Sequence, residues 1–357
     1  MISLYFHIPF CTKKCPYCHF YVVPNRPLFH RLLEEGLALE WERQKHLVAG
    51  HEIVSVYFGG GTPSLFPAGI GSLLKKIPNL SPDCEITVEA NPEESSAPLF
   101  ESLLSFGVNR LSMGVQSLDD RSLQTLERTH SANKAIEALS SAQNAGFRNI
   151  SIDLMYDLPN QTEASWRYTL DRLASLPISH LSLYNLTIEP HTSFYKRRKT
   201  LLLPDPDSSL RFLNTAVQQL ERIGLLRYEI SAFSRPGFPS RHNLGYWTGR
   251  PFLGFGPSAF SYWEGERFRN IAHLHRYTRA LKQGGSPVDF REKLPEPQRQ
   301  KELLAVRLRL LEGAEIAETD ASIEKMIEQQ FLIRNGSRIH LSEKGLLFYD
   351  TVASEIL

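Results

Sequence analysis

Three of the four cysteines, Cys11, Cys15 and Cys18, fall within eight residues near the start of the 357-residue chain, spaced C-x3-C-x2-C. A chain advances at most about 3.3–3.6 Å per residue, so these thiols stay close in any fold. A loop that turns them to one side offers three thiolates to one metal centre. The number three is informative. Structural zinc normally closes with four protein ligands, whereas a centre one ligand short keeps a position for water or substrate. Iron–sulfur clusters also usually take four cysteines, so a 4Fe–4S cluster held by three leaves one iron for something that is not protein. From spacing alone, a zinc knuckle completed by His7 or His19 stays open. Three inert buried thiols are disfavoured, because Lys13 and Lys14 beside them favour thiolate.

A second stretch can act through its backbone. The β-branched run Ile53–Phe58 ends in Gly59-Gly60-Gly61-Thr62-Pro63. Glycines at a strand end let the main chain approach a ligand with no Cβ between them, although such a run in isolation is equally a tight turn. The same punctuation recurs along the chain. Glu85–Glu89 ends in Ala90-Asn91-Pro92, Arg110–Val115 in Gln116-Ser117, Asn149–Met155 in Tyr156-Asp157-Leu158-Pro159, and His180–Tyr184 in Asn185-Leu186-Thr187.

Elements must position these strand ends together. The spacing predicts helices over Pro27–Ala49, Ala97–Phe106 and Asn133–Ala145, with apolar residues such as Leu33, Leu37 and Trp41 recurring at helical period. Strands alternating with helices imply βαβ units and a parallel sheet, hence an α/β fold. In barrels of this kind, functional residues collect where strands end and βα loops begin.

Beyond residue 230 the pattern changes. Ser234–Pro239 is rich in Pro and Gly, and Arg241–Trp247 and Phe252–Ala259 read as extended chain and turns covering one side of the barrel. Helices are expected over Pro297–Leu311, Ile323–Gln330 and Lys344–Ile356. Asn335-Gly336-Ser337 between Phe331–Arg334 and Arg338–Leu341 is a hairpin signal. The expected organisation is a barrel over 1–233, a covering segment over 234–290 and a winged-helix-like α+β module over 291–357. That hairpin carries few basic residues, which favours a structural or partner-docking role over nucleic-acid binding.

Composition narrows the class. The chain is 42% hydrophobic and 22% charged with a formal net charge of +1, so no global field favours a nucleic acid or a membrane. Four cysteines, three of them clustered, fit a reducing compartment and a metal rather than a disulfide framework. Met1 leads straight into an alternating strand with no signal-peptide pattern, and no apolar run approaches the ~18 residues of a membrane span. A cytoplasmic protein is expected. Cys84 reads as a small core residue.

The C-x3-C-x2-C loop, with Tyr17 before its last Cys, resembles the cluster loop of radical S-adenosylmethionine (SAM) enzymes. The flanking Ile2–Phe10 narrows the resemblance to oxygen-independent coproporphyrinogen III oxidases and their relatives. That resemblance implies a partial (β/α)6, TIM-like radical SAM barrel and a 4Fe–4S cluster on Cys11, Cys15 and Cys18. It also implies SAM on the open iron, with Gly60, Gly61 and Thr62 of GGGTP, Glu89, Gln116, Arg128 and Asp153 lining the pocket and Tyr5 and Tyr17 flanking the cluster. Arg128 would meet the methionine carboxylate. Relatives commonly read Tyr-Gly-Leu-Pro where this chain has Tyr156-Asp157-Leu158-Pro159, and an Asp there tolerates a left-handed backbone.

Two activities share this family, porphyrinogen decarboxylation and haem chaperoning. Oxidases extend the cluster motif by a Cys where this chain has Phe20, and carry an N-terminal arm before the barrel where this chain begins its first strand at Ile2. His242-Asn243-Leu244-Gly245-Tyr246-Trp247 matches an H-N-x-x-Y-W motif associated with haem in the chaperone branch, which would have His242 supply an axial haem ligand or orient one. The chaperone is the expected member. Its implied partners are an electron donor for the cluster and haem-accepting proteins, membrane-bound respiratory subunits among the candidates. The oxidase and a zinc-bound scaffold are the alternatives.

Overall fold

The computed structural model describes residues 1–317 and 320–357. Six parallel strands form its centre: β1 (Ile2–Ile8), β2 (Ile53–Gly60), β3 (Leu80–Ala90), β4 (Arg110–Gln116), β5 (Asn149–Tyr156) and β6 (His180–Asn185), adjacent in that order. β1 is buried at six of its seven positions, as expected of a parallel strand covered on both faces. Helices on the outside include α1 (Pro27–Val48), α2 (Pro67–Leu74), α3 (Ala97–Ser105), α4 (Ala132–Ala145), α5 (Glu163–Asp171) and α6 (Pro206–Arg222). The sheet does not close. Past β6 it continues antiparallel through β8 (Ala232–Ser234) to β7 (Leu226–Glu229) at one edge.

The other edge departs from the expected extended cover. β9 (Phe252–Phe255) pairs parallel with β1, and β10 (Phe260–Trp263), β11 (Glu266–Asn270) and β12 (Val288–Lys293) follow antiparallel, so the segment lengthens the barrel sheet. It also carries two helices, α7 (Arg241–Trp247) and α8 (Leu274–Lys282). Short strands between Gly-rich turns resemble loop in sequence, because the pairing partner that makes them strands is β1, some 250 residues earlier.

Glu40 on α1 ties this edge to the barrel. Its carboxylate, 1% exposed, accepts hydrogen bonds from Gly256 N (2.8 Å) and Tyr277 Oη (2.6 Å) on one oxygen. The other accepts from Asn270 Nδ2 (2.6 Å) and Gln44 Nε2 (3.1 Å). Burial pushes its pKa up to about 7 against those donors. A folded pKa above the unfolded 4.5 means that this group's contribution is fully present below about 4.5 and is lost as pH rises through about 7. Leaving several buried donors unpaired costs about 3 kcal/mol. Glu40→Ala should therefore lower the urea midpoint and flatten its decline between pH 5 and 8. A wild-type midpoint that does not decline across that range would show a carboxylate ionised throughout.

The C-terminal residues build a separate core around Leu308, Met326, Leu332, Ile339, Val352 and Ile356. Helices α9 (Glu296–Arg307) and α10 (Ala321–Glu328) pack with a three-stranded sheet of β13 (Ala314–Glu315), β14 (Leu332–Asn335) and β15 (Arg338–Leu341). The single helix expected over 344–356 is broken at Phe348 (φ −116°, ψ 35°) into Glu343–Leu347 and Tyr349–Ile356. Arg309 joins the two cores: it contacts Glu229 (3.3 Å) and stacks on Trp247 and Tyr349.

Candidate functional site

The carboxyl ends of the parallel strands surround a cavity of about 420 Å³, within the ~300–1,000 Å³ typical of small-molecule sites. Cys11, Cys15 and Cys18 form one wall, on the loop that leaves β1. Gly60, Gly61 and Thr62 end β2 on another, and Glu89, Gln116 and Asp153 come from β3, β4 and β5. Arg128 and Tyr17 complete the set.

The glycines are needed first for packing against β1. A Cβ on Gly60 (φ +117°) would lie 2.6 Å from the His7 ring, and one on Gly61 would lie 2.5 Å from Phe10 O. Their amides are already used: Gly60 N–H donates to Glu89 Oε2 (3.0 Å), Gly61 N–H to Ile8 O and Thr62 N–H to Phe10 O. The Thr62 carbonyl accepts from Leu65 N–H (3.0 Å), so the Gly60 and Gly61 carbonyl oxygens are the backbone groups this stretch has to offer a ligand.

Glu89 also accepts from Tyr57 Oη (2.8 Å). Burial, then the nearby Asp153 carboxylate, push Glu89 up to about 7, and burial raises Asp153 to about 6. Arg128 reaches the cavity from beyond β4 with its side chain 6% exposed. It donates to Asn91 Oδ1 (2.8 Å), Gly114 O (3.0 Å) and Cys15 Sγ (3.4 Å), and pairs with Glu93 at 3.5 Å. Its Nε is buried with no hydrogen-bond partner among the described residues. Burial would raise the Glu93 carboxyl, but the His130 hydrogen bond and the Arg128 charge hold it down to about 2.

Cys11 and Cys18 do not behave as the flanking lysines imply. Burial pushes Cys11 up to about 11 and also raises Cys18, where Lys14 and Arg128 oppose it without prevailing. Lys13 is turned to Glu127 (3.7 Å), and the cation touching a thiol is Arg128. The zinc alternative loses one proposed ligand. His7 is buried with both ring nitrogens engaged, Nδ1 with Tyr5 Oη (3.1 Å) and Nε2 with Tyr21 O (3.0 Å). Among the described residues no three Cys, His, Asp or Glu side chains gather around a single ion-sized point. Three separate thiols on one wall, facing a cavity with carbonyl, carboxylate and guanidinium groups, fit a multi-iron cluster with a polar ligand beside it.

Two expectations need correction. Tyr5 is not on the cavity wall: it lies one layer below, bonded to His7 and stacked on Tyr57 (6.2 Å). His242 is at the opposite end of the barrel. It lies on α7, 1% exposed, with Nδ1 on Ser55 Oγ (3.0 Å) and Nε2 on Tyr246 Oη (2.9 Å). Backbone N–H groups of Arg241 and His242 donate to Glu85, near the start of the buried run of β3. Burial depresses His242 to about 3. With both nitrogens committed, this imidazole has none to give an iron, and α7 acts as a plug in the barrel floor.

The left-handed Asp157 is found, at φ 61°. The spacing did not single out Asn91, which links Arg128 to Thr62 Oγ1 (2.9 Å). It also passed over Ser112 and Tyr184 on the cavity wall. Asn91 follows β3 directly, so its place at a strand end was a usable signal.

Fold and site together define a radical SAM protein, and the family model described as the Radical SAM superfamily matches residues 5–173. The heme chaperone HemW of Haemophilus influenzae is 35% identical, covering 97% of this chain and 95% of the relative. That of Bacillus subtilis is 32% identical over 100% and 99%. The solved coproporphyrinogen III oxidase HemN of Escherichia coli superposes with a TM-score of 0.86 at 25% identity, covering 99% of this chain and 89% of that one. The chain belongs to the HemW family of heme chaperones.

Proposed function

We propose that the protein binds haem and passes it to acceptor proteins, while holding a 4Fe–4S cluster on Cys11, Cys15 and Cys18 and SAM in the adjoining cavity. The observation that carries the cofactor part is the opening of three thiols, and no fourth among the described residues, onto the cavity lined by Gly60–Thr62, Glu89 and Asp153. The haem part rests on family membership over nearly the full chain. Phe20 adds to it, standing at the cavity rim where the oxidases place a further cysteine.

When bound, the cluster would supply one electron to the sulfonium of SAM. The chain's own residues bind and orient. Carbonyls of Gly60 and Gly61 accept from the ligand's amino group. The Arg128 guanidinium suits its carboxylate. Glu89 and Asp153 accept from its hydroxyls, and Gln116, Tyr17 and Thr62 complete the wall. Acceptor proteins, membrane-bound respiratory subunits among them, and an electron donor are the partners in this reading. The reducing cytoplasm is the compartment it requires. No helix among the described residues is long and apolar enough to cross a membrane.

Anaerobic reconstitution followed by haem titration and a decarboxylation assay tests the proposal. Iron with matching sulfide, a Soret band and no porphyrinogen turnover are expected. Robust turnover would transfer the chain to the oxidase branch. The raised Glu89 pKa makes a separate prediction. Only the carboxylate accepts from both hydroxyls of a ribose, so SAM affinity should rise roughly tenfold between pH 6 and 8. Calorimetry on Glu89→Gln should show that rise abolished; a retained rise would assign the proton elsewhere.

A further inference from the structure

Haem on this protein needs an iron ligand, and His242 has no free nitrogen. Four of the twelve histidines, His7, His130, His180 and His242, are buried with both ring nitrogens hydrogen-bonded. His19 is different. It is exposed, lines the cavity, and has no hydrogen-bond partner among the described residues; its one ring contact is with Phe20 (4.7 Å between centroids).

The surroundings of His19 suit a flat apolar ligand. Phe20 is 55% exposed and Tyr184 46% exposed, both on the same cavity, with Val22 and Leu186 beside them. Aromatic rings left in water beside a cavity are apolar surface without a cover, and they offer planar faces for stacking. Lys14 stands on the same rim. Its ammonium spends one donor on Phe20 O (3.2 Å), which leaves two for a carboxylate. An imidazole, two exposed rings and an ammonium are the donor set for a metalloporphyrin with carboxylate arms.

We infer that His19 is an axial ligand of haem held at the cavity rim against Phe20 and Tyr184, with Lys14 meeting a propionate. This rests on the haem-chaperone reading. The ring lone pair displaces a water or other weak ligand from the iron, and no electron is transferred. The arrangement sets the haem over the mouth of the SAM cavity rather than at the barrel floor.

The test titrates ferric haem into the full-length protein, wild type and His19→Ala, followed by Soret absorption and electron paramagnetic resonance. His19→Ala should shift the band, lose the imidazole-type signal and bind roughly tenfold or more weakly. Added imidazole should restore the wild-type spectrum. Iron and sulfide loading serve as the integrity control and should not change, because His19 is a surface side chain. Phe20→Ala should weaken binding without moving the band. A wild-type Soret band that His19→Ala leaves unaltered in position and affinity overturns this inference alone. Absence of any Soret band in wild type overturns the chaperone reading and the inference with it.

Discussion

Cys15→Ala, reconstituted without oxygen, should carry neither acid-labile sulfide nor the broad visible absorption of an iron–sulfur cluster, while Cys84→Ala retains both. Iron should fall from about four atoms per chain to background. Three thiols leave no redundancy, and among the described residues no fourth thiol lines the cavity to replace one. His7 is locked by Tyr5 and Tyr21, and Cys84 is 5% exposed in the core. Cys11→Ala and Cys18→Ala should behave alike. Sulfide retained in any of the three would mean that the ligand set is misassigned. Stoichiometric zinc without sulfide in the wild type would return the loop to the knuckle reading.

The second large effect is expected from Arg128→Ala. That guanidinium joins the cluster loop at Cys15, the end of β3 at Asn91 and β4 at Gly114, so its removal loosens three walls at once. Losing one charge-assisted hydrogen bond typically costs about 1.5–3 kcal/mol. SAM affinity should fall by roughly ten- to a hundredfold. Glu93 would also lose a cation and its carboxyl should titrate higher, since Arg128 is part of what holds it at about 2. Arg128→Lys should recover charge but not the fork, giving an intermediate affinity. Urea unfolding of each variant separates lost binding from lost fold. A folded Arg128→Ala that binds SAM as wild type does would remove the residue from the site.

The cavity wall was readable in sequence for a physical reason. A parallel βα repeat brings every strand's carboxyl end to one face, so residues that follow strands in the chain become neighbours in space. Cys11, Thr62, Glu89, Gln116 and Asp153 meet by that rule alone, and Arg128 follows β4 closely enough to obey it. Helix α1 was equally legible from apolar period and the Pro27 start. His242 shows where such reading stops. Its residue type and the aromatics four and five positions later suit a macrocycle, but nothing local says which end of the barrel they occupy.

By itself, then, the sequence determined the α/β class, the six parallel strands, the three-thiol loop and the family, because each is written in short-range spacing or in strand-end position. Only the tertiary structure decided that the 234–290 segment extends the sheet beside β1 and that Tyr5 lies beneath the cavity. It alone decided that α7 plugs the floor on Glu85 and Ser55, while His19 stays free at the mouth. These outcomes depend on contacts between residues up to some 250 positions apart. Whether an imidazole can ligate a metal is set by which partners already hold its two nitrogens, and that is a property of packing.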